Sequence, residues 1–103
     1  MGMEINIDRL MTNLFEMAKI GMNEQGGIDR ALGSQADYET RQWLLSYWER
    51  NFKIHPVVDP IANMWVKREG SEPLLPIVLG SHHDAVPDGG KYDGAMGVLI
   101  ATE

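Results

Sequence analysis

His82 and Asp84 stand two residues apart in the stretch Gly80–Gly94, GSHHDAVPDGGKYDG, and Asp93 follows nine residues after Asp84. Imidazole and carboxylate are the donors left for a divalent ion in a chain without cysteine, and this chain has none. Along an extended strand, side chains at i and i+2 share a face, so His82 and Asp84 point together and His83 points away. A metal-bound imidazole commonly gives its other N–H to a carboxylate, which fixes its tautomer and raises its basicity. Asp84 has the spacing for that task. Asp93, returned by the VPDGG turn, can offer a carboxylate oxygen to the same ion or bridge two. Gly89, Gly90 and Gly94 permit sharp turns and close approach of the backbone. Asp88, beside a glycine, reads as turn chemistry. From spacing alone, a solvated Gly/Asp turn stands level with the metal loop.

Other loop chemistries fail on residue type. A P-loop needs glycine at the place of Ala85 and Ser or Thr at the place of Tyr92. An EF-hand starting at Asp84 meets Val86 at its third position and has no closing glutamate. Ser81 lacks the G-x-S-x-G elbow of a serine nucleophile.

The elements around the loop can be read from hydrophobic period. Ile7, Leu10, Met11, Leu14, Met17, Ala18 and Met22 recur at spacings of three and four, which predicts a helix from about Ile7 to Gly21 with Asn6 as N-cap. Residues 23–34 read as a turn-rich connector. A second helix is expected after Ser34, where Ser34 and Asp37 form an S-x-x-D start, with Tyr38, Trp43, Leu44, Tyr47, Trp48 and Phe52 as its apolar stripe. The period then shortens: strands are expected over residues 53–58 and 62–68, with Pro56 marking an edge or a break. His55 precedes that proline and reads as a surface or structural residue. PIVLGS, residues 76–81, reads as a short strand buried on both faces of a parallel sheet, and DGAMGVLIATE as the start of a buried helix with Asp93 near its N-cap. The fold class expected is α/β: two helices, then strands, then strand, metal loop and helix. Ligands of open α/β sheets bind outside the carboxyl ends of strands, where this loop falls.

Bulk composition narrows the function classes. The 103 residues are 44% hydrophobic and carry a net charge of -6, with Lys and Arg scattered. A packed core is expected, and nucleic-acid binding is excluded for want of a basic patch. The N-terminus mixes charges into every turn, so it is no signal peptide; Met1-Gly2 lacks the Ser or Thr at position 6 that N-myristoylation wants. No apolar run approaches a membrane span, and the chain reads as cytoplasmic.

The pattern G-S-H-x-D-x-V-P-x-G-G-x-Y-D-G resembles the metal-binding segment of dinuclear-metal amidohydrolases of the M20 peptidase superfamily. The likeness is greatest to the branch of N-carbamoyl-L-amino acid hydrolases, allantoate amidohydrolases and β-ureidopropionases. Upstream, L-x-x-L-F-E-M-A-x-I-G, G-G-I-D-R, D-x-x-T-R and N-M-W-V-K-R-E-G keep the family's order. The resemblance implies that His82 binds one metal, that Asp84 is the catalytic-site aspartate supporting it, and that Asp93 bridges two ions. It implies zinc, or manganese, cobalt or nickel, and a carbamoyl or ureido substrate. It also implies a homodimer for the longer protein and, in such enzymes, a frequent cis peptide after the bridging aspartate, here Asp93–Gly94. His83 and Ala85 depart from common family residues. Family members are several times longer and carry a glutamate pair, further histidines and a lid domain. Residues 1–103 are therefore expected to be the N-terminal part of a catalytic domain, inactive alone. An apolar AMGVLIAT helix with no C-cap and little chain to cover it agrees with that expectation. The alternatives are another M20-type aminopeptidase or N-acyl amino acid deacylase, and a truncated interaction domain without catalysis.

Overall fold

The computed structural model describes residues 4–103; Met1 and Gly2, weighed above for lipidation, lie outside them. The described residues form three helices and two small sheets in an α/β arrangement. Its residues group into two compact units, one running to Arg41 and resuming at Leu79–Glu103, the other Gln42–Val78. Among the described residues no helix is long and apolar enough to cross a membrane.

In the first unit, α1 spans Ile7–Ala18. Asn6 caps it as expected, its side-chain oxygen accepting the Arg9 N–H at 3.0 Å. Leu10, Leu14, Met17 and Ala18 are buried, the i, i+4, i+7, i+8 face that an amphipathic helix turns inward. Ile7, one turn before Leu10 on the same face, is exposed, and so is Met22 of the expected stripe, which lies past the helix's end. The helix packs on α3, Ala95–Thr102, and Arg9 grips Glu103 with two hydrogen bonds of 2.7 and 2.9 Å.

The connector at residues 23–34 holds an unexpected strand. Asn23 closes a tight turn, its side-chain oxygen accepting the N–H groups of Gln25 and Gly27, and β1 (Ile28–Arg30) follows. It pairs antiparallel with β4, Ala85–Gly89, with a register shift between Ile28 and Arg30. The VPDGG stretch expected as a turn is thus largely strand. Ala18, Ile28 and Ala85 form the small core beneath it. At α2 (Gln35–Phe52), Ser34 Oγ accepts the Asp37 N–H at 3.1 Å, the cap foreseen from S-x-x-D.

Along α2, Asp37, Thr40, Leu44 and Trp48 are buried, while Tyr38 and Phe52 of the predicted stripe stay exposed. Trp43 stacks on Tyr47, and Phe52 meets Tyr47 edge-on. The two predicted strands shrink to a hairpin of β2 (Val57–Val58) and β3 (Met64–Trp65). Asp59 pins its turn, accepting from the Asn63 N–H and from the Trp65 indole at 2.8 and 3.0 Å.

Residues 76–81 do not form the predicted buried parallel strand. They carry no strand assignment, and Leu75, Ile77, Val78 and Leu79 are largely exposed. A strand apolar on both faces needs a neighbour on each side, and none lies beside it among the described residues.

Candidate functional site

Three elements of the first unit converge at His82. The segment before β4 carries His82 and Asp84, β4 turns the chain back, and Asp93 sits just before α3. Gly94 makes the approach close. It adopts φ 74° and ψ −52°, and Ala95 N–H donates to Asp93 O at 2.8 Å, a γ-turn of the rare hand that suits glycine. A Cβ on Gly94 would overlap the His82 ring and carbonyl oxygen. The Asp93–Gly94 peptide is trans, there being no cis peptide among the described residues.

The sequence-derived trio is therefore assembled. His82 Nδ1 lies 3.0 Å from Asp84 O and 3.2 Å from Asp84 Oδ1, and His82 Nε2 lies 3.2 Å from Asp93 Oδ1. Ionised carboxylates and carbonyls only accept, so a hydrogen on Nδ1 serves Asp84 and leaves Nε2 facing Asp93. A ring nitrogen lone pair and a carboxylate oxygen facing one another need a positive charge between them. A proton on Nε2 supplies one, as an ion pair. A divalent ion held by Nε2 and the Asp93 carboxylate would supply one as well, since zinc takes both kinds of donor. The side chains of His82, Asp84 and Asp93 are 55%, 44% and 76% exposed, so the site is open to water. With Ala85, Val86, Gly89 and Gly90 they line a hollow of about 80 Å³. Among the described residues no group of three or more His, Asp or Glu converges to hold a metal ion.

His83 points away from this trio, as alternation requires, and its Nε2 meets Asp37 Oδ1 at 2.5 Å. Asp37 also accepts the Gly33 N–H at 2.8 Å. Burial pushes the Asp37 carboxyl up, but the Gly33 N–H, the His83 ring and the charges of His83 and Arg41 together hold it below the ordinary value. Arg30 is buried beside it. Its Nε donates to His83 O at 2.8 Å, and an η nitrogen to Met17 O and Ile20 O, each at 3.0 Å. Burial lowers the Arg30 pKa, with Asp37 and Asp84 opposing. Arg30 and Asp37 were not singled out for chemistry from sequence, since an Arg whose partners are main-chain carbonyls has no companion motif. Asp88 stays outside the trio: its φ is 54°, and its side chain accepts from Asn23 Nδ2 at 2.9 Å. His55 is an exposed surface residue.

No family model matches the chain. It is 42% identical over 100 residues to an N-carbamoyl-L-amino-acid amidohydrolase of Rhizobium meliloti, covering 96% of this chain and 24% of that protein. It is 32% identical over 100 residues to an allantoate amidohydrolase of Bacillus subtilis (strain 168), covering 95% of this chain and 24% of that protein. A crystal structure of a hydantoinase/carbamoylase family amidase from Burkholderia ambifaria superposes with a TM-score of 0.88 at 36% identity, over 97% of this chain and 25% of that one. The chain spans about a quarter of the length of the curated relatives it matches. Over nearly all of its length the chain is similar in sequence and in fold to part of a hydantoinase/carbamoylase family amidase.

Proposed function

We propose that the chain supplies the first part of the metal-binding catalytic domain of an amidohydrolase that cleaves the carbamoyl or ureido C–N bond of an N-carbamoyl amino acid or related ureide. The observation that carries the reading is the His82 ring held between Asp84 and Asp93, in a chain whose relatives are named for that reaction.

His82 Nε2 and Asp93 would hold a divalent ion, with Asp93's second oxygen free to reach another. Nitrogen and oxygen donors suit zinc, manganese, cobalt or nickel. Asp84 would fix the His82 tautomer and keep the ring basic. Two such ions, when bound, lower the pKa of a shared water and polarise the scissile carbonyl. Two protein ligands are fewer than the three usual at a catalytic zinc, so the reaction needs donors beyond this chain's own. The exposed apolar run at Leu74–Leu79 supports the same view, because its pattern suits the interior of a larger sheet. The working enzyme is expected to be a homodimer.

The test is an assay of the complete gene product, with manganese or zinc, that reads ammonia release from N-carbamoyl-L-amino acids and allantoate and the freed α-amino group from N-acetyl amino acids. Turnover of the first two, abolished in His82→Ala and Asp93→Asn, is the expected result. Turnover of N-acetyl amino acids alone would move the protein to the deacylase reading. Hydrolysis by the 103-residue chain by itself would overturn the claim that its donors are insufficient.

A further inference from the structure

His83 lies between two site residues yet takes no part in the trio, and two of the molecule's buried charges converge on it. Arg30 is 2% exposed and Asp37 4% exposed. Each is held from elsewhere: Arg30 by the last-turn carbonyl of Met17 and by Ile20 O, Asp37 by its place in the capped first turn of α2 and by the Gly33 N–H. Arg30 then takes the main-chain carbonyl of His83, and Asp37 takes its imidazole. The partner of His83 Nε2 is a carboxylate oxygen, so that nitrogen carries the hydrogen and donates.

Successive side chains of an extended segment face opposite ways. A segment fixed at His83 by both main chain and side chain cannot rotate, and its neighbours are committed to the other face. We infer that Arg30 and Asp37 are positioning residues which, acting through His83, aim His82 and Asp84 toward Asp93; the inference rests on the metal-centre reading above. A purely structural role for the same contacts would hold the core together without governing where the His82 ring stands.

The two roles separate in an NMR experiment on the 103-residue chain without metal, followed by zinc titration calorimetry. His82 Cε1 is packed against Gly94, so a His82 Hε1–Gly94 Hα NOE reports ring placement directly. Asp37→Ala and His83→Leu are expected to lose that NOE while the amide spectrum stays folded. His83→Gln, whose amide can still donate to Asp37, is expected to keep it. Zinc binding should weaken about 10–100-fold in the first two and within twofold of the parent in His83→Gln. An unchanged NOE in folded Asp37→Ala and His83→Leu overturns the inference, and so does loss of the NOE in His83→Gln. Should Asp37→Ala and His83→Leu unfold, His83→Phe, whose flat ring cannot donate to Asp37, decides: a lost NOE supports the inference and a kept one overturns it. A parent chain that shows the NOE and binds no zinc counts against the metal reading alone, and the NOE comparison still decides the positioning role.

Discussion

Replacing Gly94 with alanine probes the site at its most constrained backbone position. The residue sits at φ 74° and ψ −52°, where an L side chain costs about 1–3 kcal/mol. The new Cβ would overlap His82 at Cε1, Nδ1 and the carbonyl oxygen. The ring can swing aside, but the carbonyl is main chain, so the segment or the start of α3 must move. Overpacking of that kind costs about 1–3 kcal/mol more. The sum, about 2–6 kcal/mol, is large beside the roughly 5–15 kcal/mol that holds a domain folded. In a chain of this size each kcal/mol lowers Tm by about 4–8 °C, so the midpoint should fall by at least about 8 °C. Thermal melting followed by circular dichroism measures it, with the His82 ring resonances as local report. A Tm within about 2 °C of the parent, with those resonances unmoved, would refute both the overlap and the ring position.

Arg30→Met should take the Arg30 donor from the carbonyls of Ile20 and His83 and one donor from Met17 O, which keeps the Ile20 N–H. With relief of a buried charge set against them, the net loss is about 2–4 kcal/mol in urea unfolding, and an unchanged midpoint would dismiss the network as a contributor. Acid should weaken the fold through carboxyls held low, Glu103 and Asp37 among them. The hydrogen bonds from Arg9, opposed by desolvation, hold Glu103 below its ordinary value, and Asp37 is also held low. A depressed folded pKa means that the stabilisation is complete above the unfolded values, about 3.9–4.3, and is lost as pH falls through the folded ones. Tm should therefore drop below about pH 4, and Glu103→Gln should reduce that drop; an equal drop in both would remove Glu103 from the account.

What the sequence revealed follows from how local each signal was. The α1 face, the Asn6 cap and the Ser34–Asp37 start depend on residues within one or two turns, and all three are present. The His82–Asp84 pair was legible from alternation. Asp93 joined it because the chain doubles back, although it does so through a strand rather than a turn. That strand hid because its residues, Ala-Val-Pro-Asp-Gly, are punctuated like a loop, and its partner is three residues long and far away in sequence. The apolar run at residues 76–81 failed in the opposite way. Its composition suits a central strand, but composition cannot say whether neighbours are present. Arg30 and Asp37 escaped for a third reason: they serve the site through the main chain and ring of His83, which sequence spacing correctly turned away from it.

The tie between Arg9 and Glu103 joins residues 94 positions apart, and α1 packs on the helix that Glu103 caps. A ribosome adds about 5–20 residues per second. The apolar face of α1 thus spends roughly 5–20 seconds of each synthesis without its partner. Over that interval Leu10, Leu14 and Met17 present the very stripe on which a chaperone would act, and the site cannot begin to assemble until residues Ala85–Gly94 have emerged to meet Ile28–Arg30.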